Sequence, residues 1–140
     1  MTTRELFALS EKRGYIYLPP DKSGGIEALS VLLPSGNCAW TAERGEKEAE
    51  YRDRVSHEIG HCEKGAFYTR LSAPTTKEKC EEQARRWQYE NMVSLKDLIA
   101  AIQDGCREAW QIAERLDVPE KLVRGAEAYY KAKLGREICK

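Results

Sequence analysis

The chain contains only two histidines, and they stand four residues apart in the run His57-Glu58-Ile59-Gly60-His61. Chance would space two histidines by four in roughly one of seventy arrangements, before a glutamate is required beside the first. A spacing of four returns a side chain to the same face of an α-helix, so both imidazoles can reach one tetrahedral zinc ion at roughly 2.0–2.1 Å. Glu58 lies about 100° around the helix from His57. From there it can touch a water held by the ion without ligating the metal, the position of a general base. This pattern constrains the fold directly: it needs a helix from about Glu46 to Glu63, packed on one face and open to a cleft on the other. Val55, Ile59 and Cys62, spaced i, i+4 and i+7, supply the packed face.

A catalytic zinc of the His2Glu type takes a third protein ligand and leaves a fourth position open. With no third histidine, that ligand is expected to be a carboxylate, and Glu78, Glu81 and Glu82 on the next helix are the candidates. Glu81, three residues before Ala84 and six before Trp87, stands at the edge of that helix's apolar face and is preferred. Glu82 points further outward and is expected to form an i,i+4 ion pair with Arg86. Tyr68 and, behind it, Tyr51 are candidates for stabilising an oxyanion, although a tyrosine more often packs its ring and satisfies its hydroxyl locally.

Around this pattern, the chain's 140 residues fit one domain. Thr2-Thr3-Arg4-Glu5 has capping-box spacing, which predicts a first helix to about Lys12, a lid or packing element stopped by Gly14. Tyr15 to Leu18, Ile26 to Leu33 and Asn37 to Ala42 are β-prone, with turn chemistry at Asp21 to Gly25 and at Pro34-Ser35-Gly36. These runs predict a small antiparallel sheet of about three strands. A second long helix is expected over about Thr76 to Asn91. A third follows, capped by Ser94, with Leu95, Leu98, Ile99 and Ile102 inward, and two more cover Cys106 to Leu116 and Pro119 to Leu134. The expected fold class is α+β and zincin-like, with the sheet packed on a central HExxH helix. Its parts are a helix and sheet over 1–45, zinc-site helices over 46–92 and a helical C-terminal part over 93–140.

Composition narrows the partners. Twenty-three basic side chains balance 23 acidic ones, so no net field draws the chain to nucleic acid or anionic lipid. The last two helices resemble a helix-turn-helix pair, yet residues 94–140 carry nine basic and eight acidic groups, without the basic stripe that phosphate contacts need. A packing or partner-binding unit is expected there. The longest apolar runs fall far short of the roughly 18–20 residues that cross a bilayer. No export signal is visible, and Cys38, Cys62, Cys80, Cys106 and Cys139 are odd in number and lack a CxxC pair. Reduced thiols and a cytoplasmic location are expected.

The segments His57-Glu58-Ile59-Gly60-His61-Cys62, Gly65-Ala66-Phe67-Tyr68 and Lys79-Cys80-Glu81-Glu82-Gln83-Ala84-Arg85-Arg86-Trp87 resemble the ImmA/IrrE family of zinc metallopeptidases, particularly its short single-domain members. The resemblance spans most of the chain. It implies His57, His61 and Glu81 as ligands of one zinc ion in a gluzincin-like site, and Glu58 as catalytic base. It also implies cleavage or inactivation of a helix-turn-helix repressor of the Xre or ImmR type, in a mobile element or stress response. After Trp87 the family often carries Ala, where this chain carries Gln88. Two other expectations stand beside endopeptidase activity: a non-catalytic zinc-fold module that binds a repressor, and a toxin restrained by an antitoxin-like partner.

Overall fold

The computed structural model describes residues 1–20 and 26–138. The turn expected at Asp21 to Gly25, and Cys139, lie outside the described residues. Among the described residues, six helices and three short strands follow one another. They are α1 (Thr3–Arg13), β1 (Ile16–Tyr17), β2 (Ala28–Leu32), β3 (Cys38–Ala42), α2 (Glu48–Lys64), α3 (Pro74–Met92), α4 (Leu95–Gln103), α5 (Ala109–Leu116) and α6 (Glu120–Ile138). The class is α+β.

Local chemistry explains most boundaries. Thr2 and Glu5 form the reciprocal capping box of α1, and Gly14, at φ 76°, ends it in the left-handed conformation. Ser94 accepts from the Asp97 amide to start α4. Pro74 opens α3, where a missing N–H costs nothing. Helix α1 is a packing element: Leu6 is fully buried, and Ser10 accepts a 2.8 Å hydrogen bond from the Trp40 indole of β3.

The sheet is mixed, which corrects the antiparallel expectation. β3 is central, β2 pairs antiparallel to it from Ala28↔Ala42 to Leu32↔Cys38, and β1 pairs parallel to it through Ile16↔Ala39 and Tyr17↔Trp40. Alternating hydrophobicity tells which face of a strand is buried but not which strand sits beside it. β3 carries the most buried side chains, Cys38, Trp40, Thr41 and Ala42, so it takes the middle, and the hairpin sends β2 to the edge. Leu29, Val31 and Leu32 of that edge strand are exposed.

Two further expectations are corrected. Cys38 and Cys62 form a disulfide, with Cα atoms 5.9 Å apart, that ties β3 to α2 one residue beyond His61. A pairing of strand with helix across 24 residues has no sequence signature comparable to a CxxC motif. Cys80 and Cys106 are free thiols. In α4, Leu98 and Ala101 face the core while Leu95, Ile99 and Ile102 are exposed. The apolar stripe of this nine-residue helix is wider than the edge by which it docks.

The core is one cluster running from Leu6 and Trp40 through Val55, Ile59, Trp87 and Met92 to Val123 and Tyr130. Tyr51 belongs to it, packed near Phe7, and takes no part in the cleft beside the histidines. Arg52 of α2 is also buried. Its guanidinium donates to the carbonyls of Leu116 at 2.5 Å and Asp117 at 2.7 Å, and to that of Met1. It thus caps the C-terminus of α5, where carbonyls lack helical partners and the helix dipole favours a cation. Replacing Arg52 by Leu leaves these carbonyls unpaired and is expected to destabilise the fold by about 2–4 kcal/mol. Arg86→Ala, which removes an exposed i,i+4 partner of Glu82, should cost less than about 0.5 kcal/mol. Urea unfolding of the two variants measures the contrast, and equal losses would contradict this role for Arg52.

Candidate metal centre

Helix α2 holds both histidines because its opposite face is committed to the core: Val55 and Ile59 are fully buried and Cys62 nearly so. Gly60, between them, lies where α3 passes. A Cβ there would stand 2.9 Å from the Ala84 carbonyl oxygen and 3.3 Å from the Trp87 ring. Only glycine permits that approach, and it brings the N-terminal half of α3 over the two imidazoles.

Glu81 is the carboxylate delivered by this contact. Its Oε2 lies 2.8 Å from His57 Nε2 and its Oε1 lies 3.1 Å from His61 Nε2. Among the described residues, His57, His61 and Glu81 form a group able to hold a metal ion, with ligand atoms all within 4.8 Å of one another. The neighbouring glutamates are engaged elsewhere: Glu82 accepts from Arg86 at 2.7 Å and Glu78 from Arg85 at 3.0 Å, both in exposed pairs.

Each histidine is also gripped through its other ring nitrogen. The Ala66 carbonyl can only accept, so the 2.7 Å contact with His61 Nδ1 places a proton there and leaves Nε2 as the metal-facing atom. That carbonyl is brought into place by the turn that ends α2, in which Gly65 adopts φ 61° and the Ala66 amide donates back to His61 O. His57 Nδ1 lies 3.0 Å from Gln88 Oε1. Neither Ala66 nor Gln88 carries a motif that would mark it in the sequence, since both contacts depend on how distant backbone segments meet.

The Glu58 and Glu81 carboxyls are shifted in opposite directions. Burial pushes the Glu58 carboxyl above the usual carboxylate range, only partly offset by the two imidazoles and a hydrogen bond from Ser30 of β2. Hydrogen bonds from His57, His61 and Tyr68 hold Glu81 far below that range despite its partial burial. His57 is raised: burial opposes its charge, but the contacts with Glu81 and Gln88 outweigh burial. Tyr68, 41% exposed, donates to Glu81 Oε1 at 2.7 Å, and this hydrogen bond pushes its hydroxyl up to about 12.

Two clefts open on this centre and share Ala28, His57 and Glu58. One, of about 260 Å³, runs past Ser30, Phe67, Tyr68 and Glu81. The other, of about 370 Å³, runs past Asp53, Arg85, Tyr89 and Lys121 toward α6. The edge strand β2 borders both through Ala28.

Compared with known proteins, the chain matches no protein-family model, no curated protein and no solved structure. The geometry alone therefore carries the assignment of the centre, and metal content tests it. Glu81→Ala should weaken metal binding by more than about 100-fold, beyond the 10–100-fold typical of an outer partner. Glu82→Ala should leave it within about twofold. Dialysis against a metal buffer followed by elemental analysis measures both, and unchanged binding in the Glu81 variant would remove it from the ligand set.

Proposed function

We propose that the chain is a zinc-dependent endopeptidase with a zincin-like, His2Glu centre of the kind its resemblance to the ImmA/IrrE family implies. The observation that carries the reading is the convergence of His57, His61 and Glu81 beside the buried Glu58. Two imidazoles and one carboxylate, with Nε2 of His61 turned inward by its Nδ1 contact, suit zinc with a position left open.

When bound, zinc supplies Lewis-acid polarisation of the scissile carbonyl and lowers the pKa of a water molecule toward roughly 7. Glu58 takes the proton that the attacking water gives up as the new C–O bond forms. It returns that proton to the amine nitrogen as the C–N bond breaks. The Tyr68 hydroxyl stands at the rim, where turning its one proton away from the Glu81 carboxylate would let it donate to the oxyanion. An extended peptide is proposed to add to the free edge of β2, so that its main chain pairs with that strand and its bond lies between the two clefts.

The substrate class proposed is a helix-turn-helix repressor of the Xre or ImmR type, and this rests on the family resemblance. Nucleic acid is not a proposed partner, given the balanced charge of the chain. No helix among the described residues is long and apolar enough to cross a membrane. The compartment proposed is the cytoplasm, where the Cys38–Cys62 pair would meet reducing conditions and would not act as a permanent staple.

The test is Glu58→Gln. It is expected to keep its zinc and to slow cleavage of peptides tiled across Xre-type repressors by about 10²–10⁴-fold, read by mass spectrometry. Inactivation of a repressor that survives this substitution undiminished would overturn hydrolysis and leave a zinc-fold binding module or an antitoxin-restrained toxin as the function.

A further inference from the structure

Gln88 sits deep in the protein, 2% exposed, between α2 and α3. A glutamine side chain so buried must satisfy its amide locally. Its Nε2 donates to the Asp53 carbonyl at 3.0 Å and approaches Asp53 Oδ1 at 2.9 Å and Ser56 Oγ at 2.9 Å. The Asp53 carbonyl and carboxylate are acceptors only, so the NH2 group must face them. The amide cannot be turned over without setting its oxygen against two other acceptors. Its oxygen is thereby committed to the opposite side, 3.0 Å from His57 Nδ1.

We infer that Gln88, oriented by Asp53, is a positioning residue for the metal ligand His57. Because Oε1 can only accept, His57 must carry its proton on Nδ1, which presents Nε2 to the centre with the ring fixed in rotation. Gln88 does for His57 what the Ala66 carbonyl does for His61, but by a side chain delivered from α3, the helix that also delivers Glu81. One helix thus supplies both a ligand and the clamp on another ligand. Asp53 Oδ2 in turn lies 3.4 Å from Lys121 Nζ of α6, so the network extends to the C-terminal helix. That outer pair is exposed on the lysine side and adds little to the hold. The inference rests on the metal-centre reading above, and its test reads zinc affinity and a ring proton, not turnover.

Gln88→Leu removes the acceptor at similar volume. It is expected to fold, by circular dichroism of the metal-free protein, and to bind zinc about 10–100-fold more weakly than the native chain in chelator competition. In the zinc-loaded native protein, proton NMR should show a hydrogen-bonded Nδ1–H of His57 in slow exchange, and this resonance should be lost in the variant. Gln88→Glu alone sets a carboxylate against Asp53 and should also bind weakly. The double variant Gln88→Glu with Asp53→Asn keeps the acceptor toward His57 and replaces the opposing carboxylate by an amide donor, leaving only the backbone carbonyl of residue 53 against residue 88, so it should recover at least about tenfold of the zinc affinity lost in Gln88→Glu alone. This rescue keeps the test decisive if the leucine variant does not fold. Unchanged zinc affinity in a folded Gln88→Leu, or no recovery in the double variant, overturns the inference alone. A native chain that binds no zinc overturns the metal centre and this inference with it.

Discussion

Helix α3 crosses α2 at Gly60, and the placement of the whole centre depends on how closely it does so. A Cβ on residue 60 would come within 2.9 Å of a backbone oxygen of α3, which cannot swing aside as a side chain tip can. Ala84 and Trp87, both buried, complete the contact from the other side. The consequence reaches a full turn up α3: Glu81 arrives within hydrogen-bond distance of both imidazoles. One turn the other way, Gln88 arrives at the back of His57. An interhelical distance set by one missing methyl group therefore places a ligand and a clamp together.

Around that contact the protein separates two carboxylates by environment. Glu58 is buried with little direct hydrogen bonding and its carboxyl is pushed up, whereas Glu81 lies against both imidazoles, accepts from Tyr68 and is pushed down. The division follows from desolvation against hydrogen bonding and not from residue type. The Gly65 turn steadies the C-terminal end of α2, where His61 Nδ1 donates to the Ala66 carbonyl. Arg52 steadies its N-terminal half against α5. Both histidines are thus mounted on a helix fixed at either side of them, and a preorganised centre needs that rigidity.

What could be read from the residues was whatever a single helix period decides. His57, Glu58 and His61 share a helix, so their relative placement follows from 3.6 residues per turn. Glu81 follows from its offset to Ala84 and Trp87, and Glu82 from its i,i+4 pairing with Arg86, whereas the seven-residue reach of Glu78 to Arg85 is seen only in the fold. What escaped was set by the meeting of distant segments. The parallel pairing of β1 with β3, the Cys38–Cys62 bridge, the Ala66 carbonyl and the Gln88 amide each depend on tertiary approach, for which a linear pattern has no term. The outward turn of Leu95, Ile99 and Ile102 belongs with them, since periodicity shows that a stripe is apolar but not how much of it a neighbour covers.

The central claim is that this centre holds zinc through nitrogen and oxygen, with the cysteines outside the coordination sphere. X-ray absorption at the zinc edge of the loaded protein tests this most directly. The account predicts four light donors at roughly 2.0–2.2 Å, with the outer-shell scattering of two imidazoles and no sulfur. A zinc–sulfur distance near 2.3 Å, or scattering from fewer than two imidazoles, would contradict it.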